Sequence, residues 1–257
     1  MKPWTTDELI LAMNVYGRLT FGQLHARNPL VVEVAKKLGR TPGSLAMKLC
    51  NIASLDPALQ ARGFRGLRGV SRLDREIWDQ FHSDWGYYSA ESELRFNRLM
   101  AAAVPTTRSD SDDSDFVVRE GPTEKESLTR QRLGQQFFRR TVLVSYNNQC
   151  CITGTPITAL LAASHIVAWA DDPTQRLNPR NGLCLAKTQD AAFDRHLITL
   201  DDDCRVVLSK AIRDHFTSES VRVNFQPYEG KQISLPDRFR PSPELLARHR
   251  QLFVTSS

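Results

Sequence analysis

Ser164-His165-Ile166 closes an apolar run, Ile157 to Ala163. A polar loop from Ala168 to Arg180 follows, holding Asp171, Asp172 and two prolines. Asn181-Gly-Leu-Cys-Leu185 then opens a short return segment, with Gln189 and Asp190 just beyond it. A histidine at a strand end, an asparagine opening the return strand and a polar residue on the next helix can converge on one point. Hydrolysis of a phosphodiester needs a base for water and a cation for the leaving oxygen. Histidine suits the base role near neutral pH, and amide or carboxylate oxygens suit Mg²⁺. A lone histidine in an apolar strand reads more simply as a satisfied core residue.

The elements that must position these residues are legible around them. Residues 126–146 are predicted as a helix, and Cys151 to Gly154 as a turn. Leu160–Ile166 suits a strand, Asn181–Leu185 a second short strand, and Ala186 to Phe193 one or two helical turns.

Taken together, these segments resemble the HNH endonucleases with a ββα-metal fold. The residues that carry the likeness are Arg132–Gln135, Phe137–Arg139, Val142–Leu143, Cys151–Gly154 and Ala163–Ile166. They continue with Trp169–Asp171, Asn178–Leu183, Asp190–Asp194, Leu197–Thr199 and the basic terminal stretch Leu235–Arg250. Order and spacing agree over residues 127–253, about half of the chain, and this setting reverses the core reading of His165. The resemblance implies a metal-dependent DNA endonuclease in which His165 activates water and Asn181 holds the loop and orients His165. It implies Mg²⁺ or Mn²⁺ on the leaving oxygen and double-stranded DNA as substrate. Ser164 stands where many members have an acid or histidine, and Gln189 where histidine is common. The expected ligands are therefore Gln189, Asp190 and Ser164, an oxygen set that favours a hard ion over zinc. Arg139, Arg140, Arg176, Arg180 and Arg195 are candidate phosphate contacts, and about half of these cations are simply solvated. His196, His215 and His249 read as surface residues; His196 stands after the helix, where a small residue is expected, and approach to a phosphate is its alternative reading.

Upstream, Thr6 reads as an N-cap for a helix that Gly17 ends, and further helices are predicted over 29–38, 43–55 and 73–81. Helix, short glycine turn, helix is the helix-turn-helix outline. Residues 36–75 hold nine basic residues against Asp56 and Asp74. Arg40, Lys48, Arg62, Arg65 and Arg68 are the candidate DNA contacts there, with a solvated basic face as the plain alternative. The aromatics Trp78, Phe81, Trp85, Tyr87 and Tyr88 suit a core at helical spacing, or a pocket for a flipped base.

Residues 104–126 are acidic and rich in Ser, Thr, Asp and Pro, and read as a flexible linker. The expected organisation is α+β: a helical, helix-turn-helix-like recognition domain at 1–103, the linker at 104–126, and a ββα-metal (HNH) nuclease domain at 127–257. A reader domain joined to such a nuclease resembles restriction endonucleases, sequence- or modification-dependent, and suggests a homodimer. The competing readings are a DNA-binding regulator with a degenerate nuclease fold, and a nuclease gated by an N-terminal part that binds protein or a small signal.

The chain has 257 residues, 41% hydrophobic and 25% charged, with 34 basic and 29 acidic side chains and a net charge of +5. This is globular composition, and the positive balance allows a polyanionic partner. No apolar run is long enough to span a bilayer, and Met1–Thr6 has no basic-then-apolar leader, so neither membrane nor secretion is expected. The five cysteines, Cys50, Cys150, Cys151, Cys184 and Cys204, show no C-x-x-C spacing. Reduced thiols in a cytoplasmic protein and no structural zinc are the expectation.

Overall fold

A computed structural model of the chain describes residues 3–64, 69–101 and 124–256. Arg65, Arg68 and residues 104–123 of the predicted linker lie outside them; residues 124–126 already belong to a helix.

The first part is helical: α1 Thr6–Arg18, α2 Pro29–Lys37, α3 Pro42–Ala53, α4 Pro57–Ala61, α5 Arg72–Ser83 and α6 Trp85–Ala101. Local chemistry sets the starts. Asn28, Thr41 and Ser71 accept hydrogen bonds from first-turn amides, with proline following Asn28 and Thr41. The cap of α1 falls one residue before the predicted one. Thr5 and Glu8 bond each other's backbone N–H in a capping box. Gly17 lies inside α1, and its role is close approach: a Cβ there would sit 2.8 Å from the Thr141 hydroxyl.

The second part continues with α7 Glu124–Ser145, β1 Leu161–His165, β2 Gly182–Ala186, α8 Lys187–Asp194, β3 Ile198–Leu200 and β4 Val206–Leu208. It ends with α9 Lys210–Arg213, α10 Glu219–Phe225 and α11 Pro243–Ser256. The class is α+β. β1 pairs antiparallel with β2, His165 opposite Gly182, and β3 pairs with β4. α8 packs on β1 and β2, which makes the ββα unit, and α11 packs on β3.

α7 joins the two parts, lying against α1 and α6 as well as β1 and β2. Phe137 of α7 meets Phe81 and Trp85, with ring centroids 6.4 and 6.2 Å apart. Trp78, Phe81 and Trp85 are buried in this core. Buried Glu93 accepts from Asn14 at 2.7 Å, Arg18 at 2.8 Å and Arg140 of α7. Three donors offset the cost of dehydrating that carboxylate. Arg238 is fully buried, donates to the Tyr16 carbonyl at 2.5 Å and lies 4.3 Å over the Tyr16 ring. Among the described residues, then, the helical part and the ββα part share one hydrophobic core.

This packing engages two of the expected DNA contacts in ion pairs within the protein. Arg40 grips Glu8 at 3.0 and 2.7 Å and lies 4.1 Å over the Trp4 ring. Lys48 is buried, with its ammonium 2.8 Å from both oxygens of Asp74. Arg40 ties the α2–α3 turn to α1 and Lys48 ties α3 to α5, because a charge leaving water at these positions must meet an opposite one. No helix of the described residues is long and apolar enough to cross a membrane.

Candidate active site

His165 ends β1, directly opposite Gly182 of β2. A Cβ at Gly182 would lie 2.4 Å from a Val142 methyl and 3.1 Å from the Phe138 ring, so glycine lets α7 lie close on the hairpin. That closeness puts Phe138 flat against His165, centroids 4.3 Å apart and planes 7° from parallel. Trp169 also meets the imidazole, edge to face, 5.7 Å away.

The ring is oriented through one nitrogen. His165 Nε2 lies 2.8 Å from the Arg176 carbonyl oxygen, which can only accept, so Nε2 carries the hydrogen. Nδ1 is left with its lone pair and no partner among the described residues. Burial lowers the pKa of His165 below the usual histidine value, opposed by the Arg176 carbonyl and by the negative charge of Asp190. The half-buried ring is thus an unprotonated base at neutral pH.

Asn181 holds the loop that supplies this carbonyl. Its side-chain oxygen accepts from Val167 N–H at 2.9 Å, and its amide donates to the carbonyls of Val167 at 3.0 Å and Gln175 at 3.2 Å. Arg176 donates to the Trp169 carbonyl at 2.6 Å. Asp172 accepts from Arg248 of α11 at 2.7 Å and from the Thr174 hydroxyl at 2.6 Å. Those bonds hold its carboxyl down at about 2.

His165 opens on a cavity of about 590 Å³. Trp169 and Asp171 line the loop side, Asp194 and His196 the end of α8, and Arg248 and His249 the α11 side. The three expected metal ligands are not brought together there. Ser164 alternates to the other face of β1, buried, its hydroxyl without a partner among the described residues. Gln189 is buried and donates to the Asn224 carbonyl at 3.0 Å. Asp190 remains half-buried, and its charge acts on His165 and on Asp194. The Asp194 carboxyl is raised, by burial first and by Asp190 next. Among the described residues no group of three or more His, Cys, Asp or Glu could enclose a metal ion.

The basic candidates are dispersed. Arg139 donates to the Leu161 carbonyl at 3.0 Å, Arg180 to the Arg240 carbonyl at 3.3 Å, and exposed Arg195 to the Ala191 carbonyl at 3.0 Å. Exposed Arg62 pairs with Asp237. Phe138, the Arg176 carbonyl, Arg248 and His249 were not read from the sequence as parts of the site. Only the terminal basic helix, as a pattern, pointed towards the last two.

Residues 150–201 match the family described as HNH endonuclease, a span that runs from Cys150 through the ββα unit into β3. No curated protein matches the chain.

Proposed function

From an HNH endonuclease domain at residues 150–201, we propose that the protein is a metal-dependent DNA endonuclease, with His165 as the general base. The observation that carries the assignment is the bond from His165 Nε2 to the Arg176 carbonyl at 2.8 Å. It leaves Nδ1 free to take a proton from water at a phosphate in the cavity. Phe138 and Trp169 keep the ring from rotating, and Asn181 fixes the loop whose carbonyl sets the tautomer.

HNH nucleases generally use a divalent metal. Mg²⁺ at phosphoryl-transfer sites is commonly held by one or two carboxylates with water and substrate phosphate completing the shell. Of the three expected ligands, Asp190 is the carboxylate, and it stays half-buried on α8 rather than packed inward. Asp190 would hold the ion, and Ser164 and Gln189 would not. When bound, Mg²⁺ or Mn²⁺ neutralises charge on the leaving oxygen. We also read the enzyme as restriction-type, the helical part selecting the DNA. In support, that part packs directly on α7, which also floors the site.

The regulator reading is favoured by the inward turn of Ser164 and Gln189, and one experiment separates the two. Purified protein is given supercoiled plasmid with Mg²⁺ or Mn²⁺. Nicking is expected, slower by about 100- to 10,000-fold in His165→Ala, with DNA binding in chelator unchanged. Equal cutting by the variant removes the base assignment. Binding without cutting in either ion makes the protein a regulator.

A further inference from the structure

His196 occupies a backbone position that histidine rarely takes. Its φ is +54°, in the left-handed region, where a Cβ is strained and glycine is cheap. The position closes α8: His196 N–H donates to the Phe193 carbonyl at 2.9 Å and Leu197 N–H to the Ala192 carbonyl at 2.8 Å. Glycine would make the same turn without strain. A strained residue at a cavity is grounds for asking what its side chain does.

The ring is held from behind by a second imidazole. His196 Nδ1 lies 3.2 Å from His249 Nε2. His249 is buried and stacked on Phe193, centroids 3.8 Å apart and planes 9° from parallel. Its Nδ1 lies 2.8 Å from the Thr199 hydroxyl and its Nε2 3.1 Å from the Phe193 carbonyl oxygen. A bare nitrogen lone pair facing that carbonyl would be repelled, so His249 Nε2 bears the hydrogen and its Nδ1 accepts from Thr199. His196 Nδ1 then faces an N–H and must accept. The hydrogen of the His196 ring is left on Nε2, which has no partner among the described residues.

The cavity that His196 lines is the one that His165 opens on. The two imidazoles therefore present opposite faces of the same chemistry: a lone pair at His165 Nδ1 and an N–H at His196 Nε2. Arg248, the cation lining the same cavity, is committed to Asp172.

We propose that His196 is a second histidine of the active site, donating an Nε2–H hydrogen bond to an oxygen of the DNA phosphate that His165 addresses. The proposal rests on the nuclease reading and adds a phosphate contact to it. His249 and Thr199 act as positioning residues that fix the donor's tautomer.

His196→Gly tests it, because the backbone favours glycine while the donor disappears. Plasmid nicking, DNA affinity in chelator and Tm are measured together. The expected result is a kcat/KM lower by about 10- to 100-fold, with Tm unchanged or raised by about 2–4 °C. Nicking at the parent rate by a folded variant overturns the donor role and leaves the nuclease reading standing. A second measurement does not depend on cutting. The ring nitrogens of the parent protein are followed by ¹H–¹⁵N correlation while a short DNA duplex is added in chelator. A shift at His196 Nε2 on binding supports the contact, even where the glycine variant loses stability or the parent fails to cut. Binding without that shift overturns it. A parent that neither binds nor cuts DNA overturns both readings.

Discussion

The imidazole of His165 lies flat on the ring of Phe138, centroids 4.3 Å apart and planes 7° from parallel. The two come from different elements, β1 and α7, and meet because Gly182 leaves no side chain between the helix and the hairpin. An apolar floor under a base has two effects. It blocks rotation of the ring, and it removes water from one face, which disfavours the charged form.

Phe138→Leu keeps an apolar residue but loses the flat platform. We expect Tm to fall, since an aromatic stack contributes about 0.5–1.5 kcal/mol beyond its area. We expect kcat for plasmid nicking to drop about 10-fold at nearly constant KM, because orientation matters most at the transition state. Steady-state kinetics beside a melting curve check this. Unchanged kcat would mean that the Arg176 carbonyl alone aligns the ring.

Asn181→Ala removes three hydrogen bonds at once and strands the buried N–H and carbonyl of Val167. A cost of about 1–3 kcal/mol in chemical unfolding is expected. Asn181→Asp separates the parts of that effect. It keeps the acceptor for Val167 N–H but loses both donors, so the Gln175 end of the loop should loosen and nicking should fall with it.

Asp190→Asn keeps the side chain's shape and discards its charge. The Mg²⁺ concentration that gives half-maximal nicking should rise by at least about 10-fold, and chelator should abolish nicking in both proteins without releasing DNA. The Asp194 carboxyl should also titrate at lower pH in the variant, since Asp190 is one of the causes that raise it. Carboxyl ¹³C shifts followed against pH report that change directly.

His249 makes stability depend on pH. Burial lowers its pKa from 6.5 to about 4. Above pH 6.5 the ring is neutral in both folded and unfolded chains and adds no dependence. As the pH falls below 6.5 the unfolded chain takes up the proton first, so the folded state loses stability down to about pH 4, and this group adds nothing further below that. The whole loss is on the order of 3 kcal/mol. Denaturant unfolding at pH 7 and pH 4.5 should show most of it, and His249→Met should flatten the slope.

Local patterns carried much of the fold. Asn28, Thr41 and Ser71 cap helices through bonds to their own neighbours, and the starts predicted at 29, 43 and 73 fall within one residue of those observed. The strand, loop, strand and helix around His165 and Asn181 were legible for the same reason, because their spacing is a property of one short stretch of chain. α6 was not read, since its buried Trp85 packs against Phe137, remote in sequence.

What the tertiary structure alone decided are the encounters between distant residues. Basic charge at Arg40 and Lys48 could be counted, but only folding revealed Glu8 and Asp74 opposite them. Ser164 and Gln189 had the right chemistry for a ligand set, and packing turned both inward. Phe138 beneath His165, and His249 behind His196, follow from how α7 and α11 dock. The reason is physical: a cap or a strand end is set by bonds within a few residues, whereas the direction and partner of a side chain are set by whichever remote surface excludes water from it.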